Sequence, residues 1–258
     1  MEAVNPDARS RRIEGDGTAP QAWRADAALA AVPAVALEAI VPPGARVLLA
    51  APHPDDEILA WGGLLAMLAQ RGIDNVLVAV TDGDGSHPGS PLWPAERLRA
   101  TRPRETLAAL AALDAAPEVL RLGVVDGGVR QAEADLARRL AALLRPGDVI
   151  VTTWRHDGHP DHEATARACA AAALACGATL LETPVWGWHW TSPGDGMMPL
   201  SRARKLALPP GLLARKRAAL ACFTSQLEAD ASTGAGPIVP AQVLERLLQP
   251  FELFIHDA

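Results

Sequence analysis

A short apolar run that recurs along the chain, each time followed by a stretch of helix length, constrains the fold more than any other feature of this sequence. Val47–Ala50, Val76–Val80, Val119–Leu122 and the run DVIVTT from Asp148 are apolar almost throughout, not at alternate positions. A strand of that kind is covered on both faces, as in a parallel sheet between helix layers. Between the runs lie Glu57–Arg71, Arg97–Leu113 and Ala134–Leu144. The first places Ile58, Trp61, Leu64, Leu65 and Leu68 on one helical stripe and stops at Gly72. A helix over Ala164–Cys176 and a fifth strand over Leu180–Val185 continue the alternation. From Trp186 onward the pattern weakens into an aromatic, irregular segment, then a helix over Leu212–Leu227 and a last strand over Phe251–Ile255. The predicted class is α/β: a mostly parallel sheet with helices on both faces.

At 258 residues and 49% hydrophobic content, the chain is long enough for one buried core. Residues 1–25 are polar and read as an N-terminal arm, and 26–258 as a single α/β domain with no internal repeat. Twenty-four basic against 30 acidic residues give a net charge of −6, which argues against nucleic-acid or anionic-membrane partners. The first 25 residues lack the apolar stretch of a signal peptide, and the alanine-rich run Ala168–Leu181 is too short to span a bilayer. Cys169, Cys176 and Cys222 form no CxxC pair, so a reducing compartment fits better than a disulfide framework. The expectation is a soluble, cytoplasmic protein with a small-molecule substrate and no stable membrane insertion; homo-oligomerisation is left open.

The chemistry-bearing residues fall in two segments. APHPDDE, Ala51–Glu57, follows the first strand, and WRHDGHPDHEA, Trp154–Ala164, follows the fourth. Ligands of open α/β sheets bind beyond the carboxyl ends of the strands, so both segments are expected at one edge. Helix capping accounts for one or two of Asp55, Asp56 and Glu57. It does not require His53, or His156, His159 and His162 within seven positions. The donors are nitrogen and oxygen only, a mixed set that suits catalytic Zn2+ and also Fe2+, Mn2+ or Co2+. Such a metal acidifies bound water and polarises a carbonyl. Of two adjacent aspartates, one can ligate while the other takes a proton from the attacking water. A histidine opposite can hold an oxyanion or protonate a leaving amine. The chain has no GxSxG elbow, and no GxGxxG turn follows the first strand.

PHPDDE (Pro52–Glu57) and GHPDHEA (Gly158–Ala164) resemble the motifs of the PIG-L/LmbE-like zinc-dependent N-acetylglucosamine deacetylases. The resemblance implies a Rossmann-like α/β fold and Zn2+ held by His53, Asp56 and His162, with Asp55 as the base and His159 beside the leaving group. The implied reaction removes an acetyl group from an N-acetylated amino sugar or sugar conjugate. It also matches Ser225-Gln226 to the family's S-Q element, and Arg102 or Arg104 with Glu105 to a pair near the pocket. Some family members carry a tyrosine two residues before the first histidine of HPDH. That position is Asp157 here, and the chain has no tyrosine; an aspartate facing the reaction would repel its developing negative charge. The candidate substrate contacts are Asp82, Asp84, Arg102, Asp157, Trp188 and His189, since tryptophan faces suit sugar rings. Two other readings compete: a hydrolase of a non-sugar small-molecule amide, and a metal- and sugar-binding module without turnover.

Overall fold

The computed structural model describes residues 11–256. Eight strands form one sheet: β1 Ala34–Val35, β2 Val47–Ala51, β3 Asn75–Thr81, β4 Glu118–Val124, β5 Val149–Thr153, β6 Thr179–Thr183, β7 Ala203–Ala207 and β8 Phe251–His256. Their order is β1-β7-β8-β6-β5-β2-β3-β4. Neighbours are parallel except where β8 meets β6 and β7. The larger helices are α1 Asp56–Arg71, α2 Ala95–Ala112, α3 Val129–Leu143, α4 Pro160–Cys176 and α5 Pro210–Leu220.

The sheet has a core on each face, and β2 shows why its strands read as continuously apolar. Val47, Leu49 and Ala51 pack with Ile58, Leu64, Leu65 and Leu68 of α1. Leu48 and Ala50 point the other way, to Leu136 and Leu140 of α3 and Ala168, Cys169 and Ala172 of α4. The order also creates a crevice. The chain leaves β2 toward β3 on one side, while β5 lies on the other side and continues outward to β6. Loops following β2 and β5 therefore diverge at the carboxyl edge, the usual place for a ligand.

Helix α1 is interrupted at Trp61, whose φ of −132° and ψ of 16° are not helical. The N–H groups of Gly63 and Leu64 donate instead to the two oxygens of Glu252 on β8, at 2.7 and 2.8 Å. Lys216 of α5, wholly buried, donates to the same carboxylate at 2.6 Å. A Cβ at position 63 would lie 2.3 Å from Leu208 Cδ2, so glycine is what lets these neighbours pack so closely.

Several elements differ from the pattern read in the sequence. The helix expected over Leu212–Leu227 is α5 plus a separate turn, Thr224–Leu227. Phe223 leaves the helical region, with ψ of 60°, and is buried between them. Strands β1 and β7 were not anticipated; β1 has two residues, and ARKLA of β7 carries too little apolar sequence to stand out. Of the polar arm, residues 1–10 lie outside the described residues. Pro20–Arg24 forms a short helix whose buried Trp23 meets Trp188 edge-on at 5.1 Å and donates to its carbonyl. Among the described residues no helix is long and apolar enough to cross a membrane.

Two outcomes follow from this packing. Glu252→Ala leaves the Lys216 ammonium and two backbone N–H groups without their partner, and is expected to cost about 3–5 kcal/mol in denaturant unfolding. Burial pushes the Cys169 thiol up to about 12, so it stays protonated at pH 8. Alkylation of the native protein should reach the half-buried Cys176 and Cys222 and spare Cys169, as read by peptide mass spectrometry.

Candidate metal centre

The two sequence segments meet because β2 and β5 are hydrogen-bonded neighbours. The turn after β2 delivers His53, Asp55 and Asp56, and the loop after β5 delivers His159 and His162 at the start of α4. His53 Nδ1, Asp56 Oδ2 and His162 Nε2 form a triangle with sides of 3.4, 3.2 and 3.3 Å. Donors about 2.05 Å from a tetrahedral zinc stand about 3.3–3.4 Å apart, so the triangle has the dimensions of three such ligands. His53 and His162 also group with His159, and His53 with Asp126 and Asp161, in two further clusters of donors that could hold a divalent ion. The Asp126–Asp161 cluster lies on the other ring nitrogen of His53, where its carboxylates orient that imidazole.

Asp55 sits beside the triangle on a strained backbone, with φ of 122°, unusual for a residue with a side chain. Neighbouring groups hold it there. Its N–H donates to Glu57 Oε2 at 2.9 Å, and Thr106 donates to the other oxygen of Glu57 at 2.8 Å. Its carbonyl accepts from Ile58 and Leu59. Arg102 reaches its carboxylate at 3.2 Å while donating to the carbonyls of Gly83 and Pro54. A Cβ at position 83 would lie only 2.2 Å from that guanidinium, and Gly83 has φ of +66°, so this crossing requires glycine.

The electrostatics are those of a site built around positive charge. Burial raises the Asp55 carboxyl to about 7, with Arg102 opposing and Asp56 and Glu57 adding to the rise. Asp56 is also buried, yet His162 and His53 hold it well below the usual carboxylate range. Against burial, Asp56 and Asp157 raise His162 to about 9. Against burial too, Asp126, Asp161 and Asp56 raise His53 well above its ordinary value. Burial, then the charges of His162 and His53, lower His159 to about 3, so its ring is neutral.

The other candidates are distributed differently. Arg102 lines the cavity, whereas Arg104 is exposed. Asp157 is wholly buried behind His162. Its carboxylate faces His162 Nδ1 at 2.7 Å, and accepts the N–H groups of Val185, Trp186 and Gly187 at 2.8–2.9 Å. The aspartate in the tyrosine position therefore orients a histidine and does not contact the cavity. Asp82 pairs with Arg121 and Asp84 with Arg99. Trp188 is core, and His189 bonds the Glu14 carbonyl and faces Arg246. None of these five lines the cavity. Residues that the sequence reading missed include Asp126, whose signal was an aspartate soon after the third expected strand, and Ile13, Ile238 and Val239, which carried none. Ser225 donates to Glu105 at 2.6 Å and so fastens the segment bearing Gln226, which reaches the cavity wall.

Residues 48–173 match the model of the PIG-L family, GlcNAc-PI de-N-acetylase. It is 29% identical over 196 residues to a 1D-myo-inositol 2-acetamido-2-deoxy-alpha-D-glucopyranoside deacetylase of Mycolicibacterium gilvum, covering 64% of this chain and 66% of that one. It is 30% identical over 133 residues to a probable N-acetyl-alpha-D-glucosaminyl L-malate deacetylase 2 of Bacillus cereus, covering 49% of this chain and 60% of that one. The matches thus span less than two thirds of either relative. The conserved protein TT1542 of Thermus thermophilus shares the fold, with a TM-score of 0.59 and 24% identity over 82% of this chain and 94% of that one. The chain has a PIG-L-like deacetylase fold with His/Asp clusters consistent with a divalent-metal site.

Asp157→Asn keeps the size of the side chain but weakens the acceptor behind His162. It is expected to lower zinc affinity by about 10–100-fold in a chelator competition assay.

Proposed function

We propose that this chain is a zinc-dependent N-deacetylase that removes the acetyl group from an N-acetylated amino sugar or sugar conjugate. The observation that carries this reading is a carboxylate the donor triangle does not use. Asp55 is buried beside Asp56 on a strained turn and held by Arg102 and Glu57. A site that only holds a metal has no need of such a group. His53, Asp56 and His162 would hold the ion. When bound, a divalent ion acidifies water and polarises the acetyl carbonyl.

Asp55 accepts the proton of the attacking water and returns it to the departing nitrogen. Arg102 fixes the carboxylate during both transfers. His159 accepts the Asp161 N–H at Nδ1, so its neutral ring carries its proton on Nε2. That N–H is the donor for the oxygen on which negative charge develops. Asp157 does not oppose this charge, because its oxygens are taken up by His162 and backbone N–H groups. The two curated relatives act, by their names, on N-acetylglucosamine joined to inositol and to malate. Their shared part is the substrate head assigned to this chain.

The test is acetate release from N-acetylglucosamine conjugates by the zinc-loaded protein. Chelation should abolish it and Zn2+ restore it. Asp55→Asn is expected to retain zinc and lose about 10²–10⁴-fold in kcat. A variant that keeps zinc and full activity overturns the role of Asp55, and binding of conjugates without acetate release overturns the deacetylase reading.

A further inference from the structure

The cavity around the donor triangle has about 480 Å3, the scale of pockets that enclose a drug-sized ligand and far more than an acetyl group needs. Its polar lining includes three carboxylates, Asp55, Asp56 and Asp126. Among the described residues, Arg102 is the one Lys or Arg in the lining. It is 3% exposed, and its two terminal nitrogens are taken up by Asp55 and the carbonyls of Gly83 and Pro54. Even with a divalent ion in place, these charges only balance. An anionic substituent entering the cavity would give up hydration and meet no unengaged cation.

The remaining wall has a different character. Ile13, Leu59 of α1, Trp186, Ile238 and Val239 all line it, from segments far apart in the sequence. Ile13, Trp186 and Ile238 are half-buried, so they present apolar surface that a ligand can cover. This surface is continuous with the cavity of the metal centre, so whatever covers it is joined to the reacting amide.

We infer that this site selects substrates whose group beyond the scissile amide is uncharged and apolar. That group is carried either on the glycosidic oxygen or as an acyl chain longer than acetyl. The inference rests on the proposed hydrolysis of an N-acylated amino sugar, of which deacetylation is the acetyl case, and disfavours conjugates that bear carboxylates.

The test compares kcat/KM of the zinc-loaded full chain on four probes: N-acetylglucosamine, its octyl glycoside below the micelle concentration, N-octanoylglucosamine, and N-acetylglucosaminyl malate. At least one octyl probe should exceed N-acetylglucosamine by about tenfold or more, and the malate conjugate should fall below it. Which octyl probe wins shows whether the apolar wall serves the glycosidic or the acyl side. Ile238→Arg should reverse the order of octyl and malate probes, and the milder Ile13→Ser should reduce the octyl preference. A wild-type protein that prefers the malate conjugate overturns the inference. So does an octyl-to-malate ratio that both variants leave within about twofold. Calorimetry with octyl glucosaminide and glucosaminyl malate, which need no turnover, separates the two claims. Octyl preference in binding without release of acetate or octanoate overturns the deacetylase reading alone. Turnover without octyl preference overturns the inference alone.

Discussion

The parallel pairing of β2 with β5 is the constraint on which the site depends. These strands are distant in sequence, and the segments that follow them share one sheet edge because Val47–Ala50 register against Val149–Thr152. The chain turns outward in opposite directions after each strand, so no crossover helix fills the space between the two loops. Both faces of these strands are packed, which leaves little freedom for the register to slip. A displacement of either strand would separate the donors of the triangle.

Around this frame the buried charges are arranged in depth. Asp56 lies between His53 and His162, and each histidine is in turn oriented by carboxylates on its far nitrogen: Asp126 and Asp161 for His53, Asp157 for His162. Such outer partners select the tautomer and ring orientation that ligation needs. The cost of burying so many carboxylates is offset by histidines, backbone N–H groups and Arg102, and a divalent ion would add to that balance. The same logic recurs away from the site, where Glu252 and Lys216 close the break in α1.

Asp157 shows how position in a motif and role in space can part. Next to HPDH it suggested a group aimed at the reaction, and in three dimensions it faces the opposite way. Its three backbone contacts hold Val185–Gly187, and with them the half-buried Trp186 that lines the cavity. One aspartate thus ties the orientation of a histidine to the wall of the pocket.

The sequence by itself determined the α/β class, the five successive strands of the expected pattern and the two segments that bear His53, Asp55, Asp56, His159 and His162. These were legible because strand packing and metal ligation both demand particular residue types at short, local spacing. Only the tertiary structure decided which side chains face the cavity. Asp82, Asp84, Trp188 and His189 turn to local ion pairs, the core or the N-terminal segment, while Asp126, Ile13, Ile238 and Val239 arrive from elsewhere. The break in α1 was hidden for the same reason, since its freed N–H groups are satisfied by Glu252, nearly two hundred residues away. A local pattern records what a residue needs from its neighbours in sequence, whereas the lining of a cavity depends on long-range contacts that no local spacing encodes.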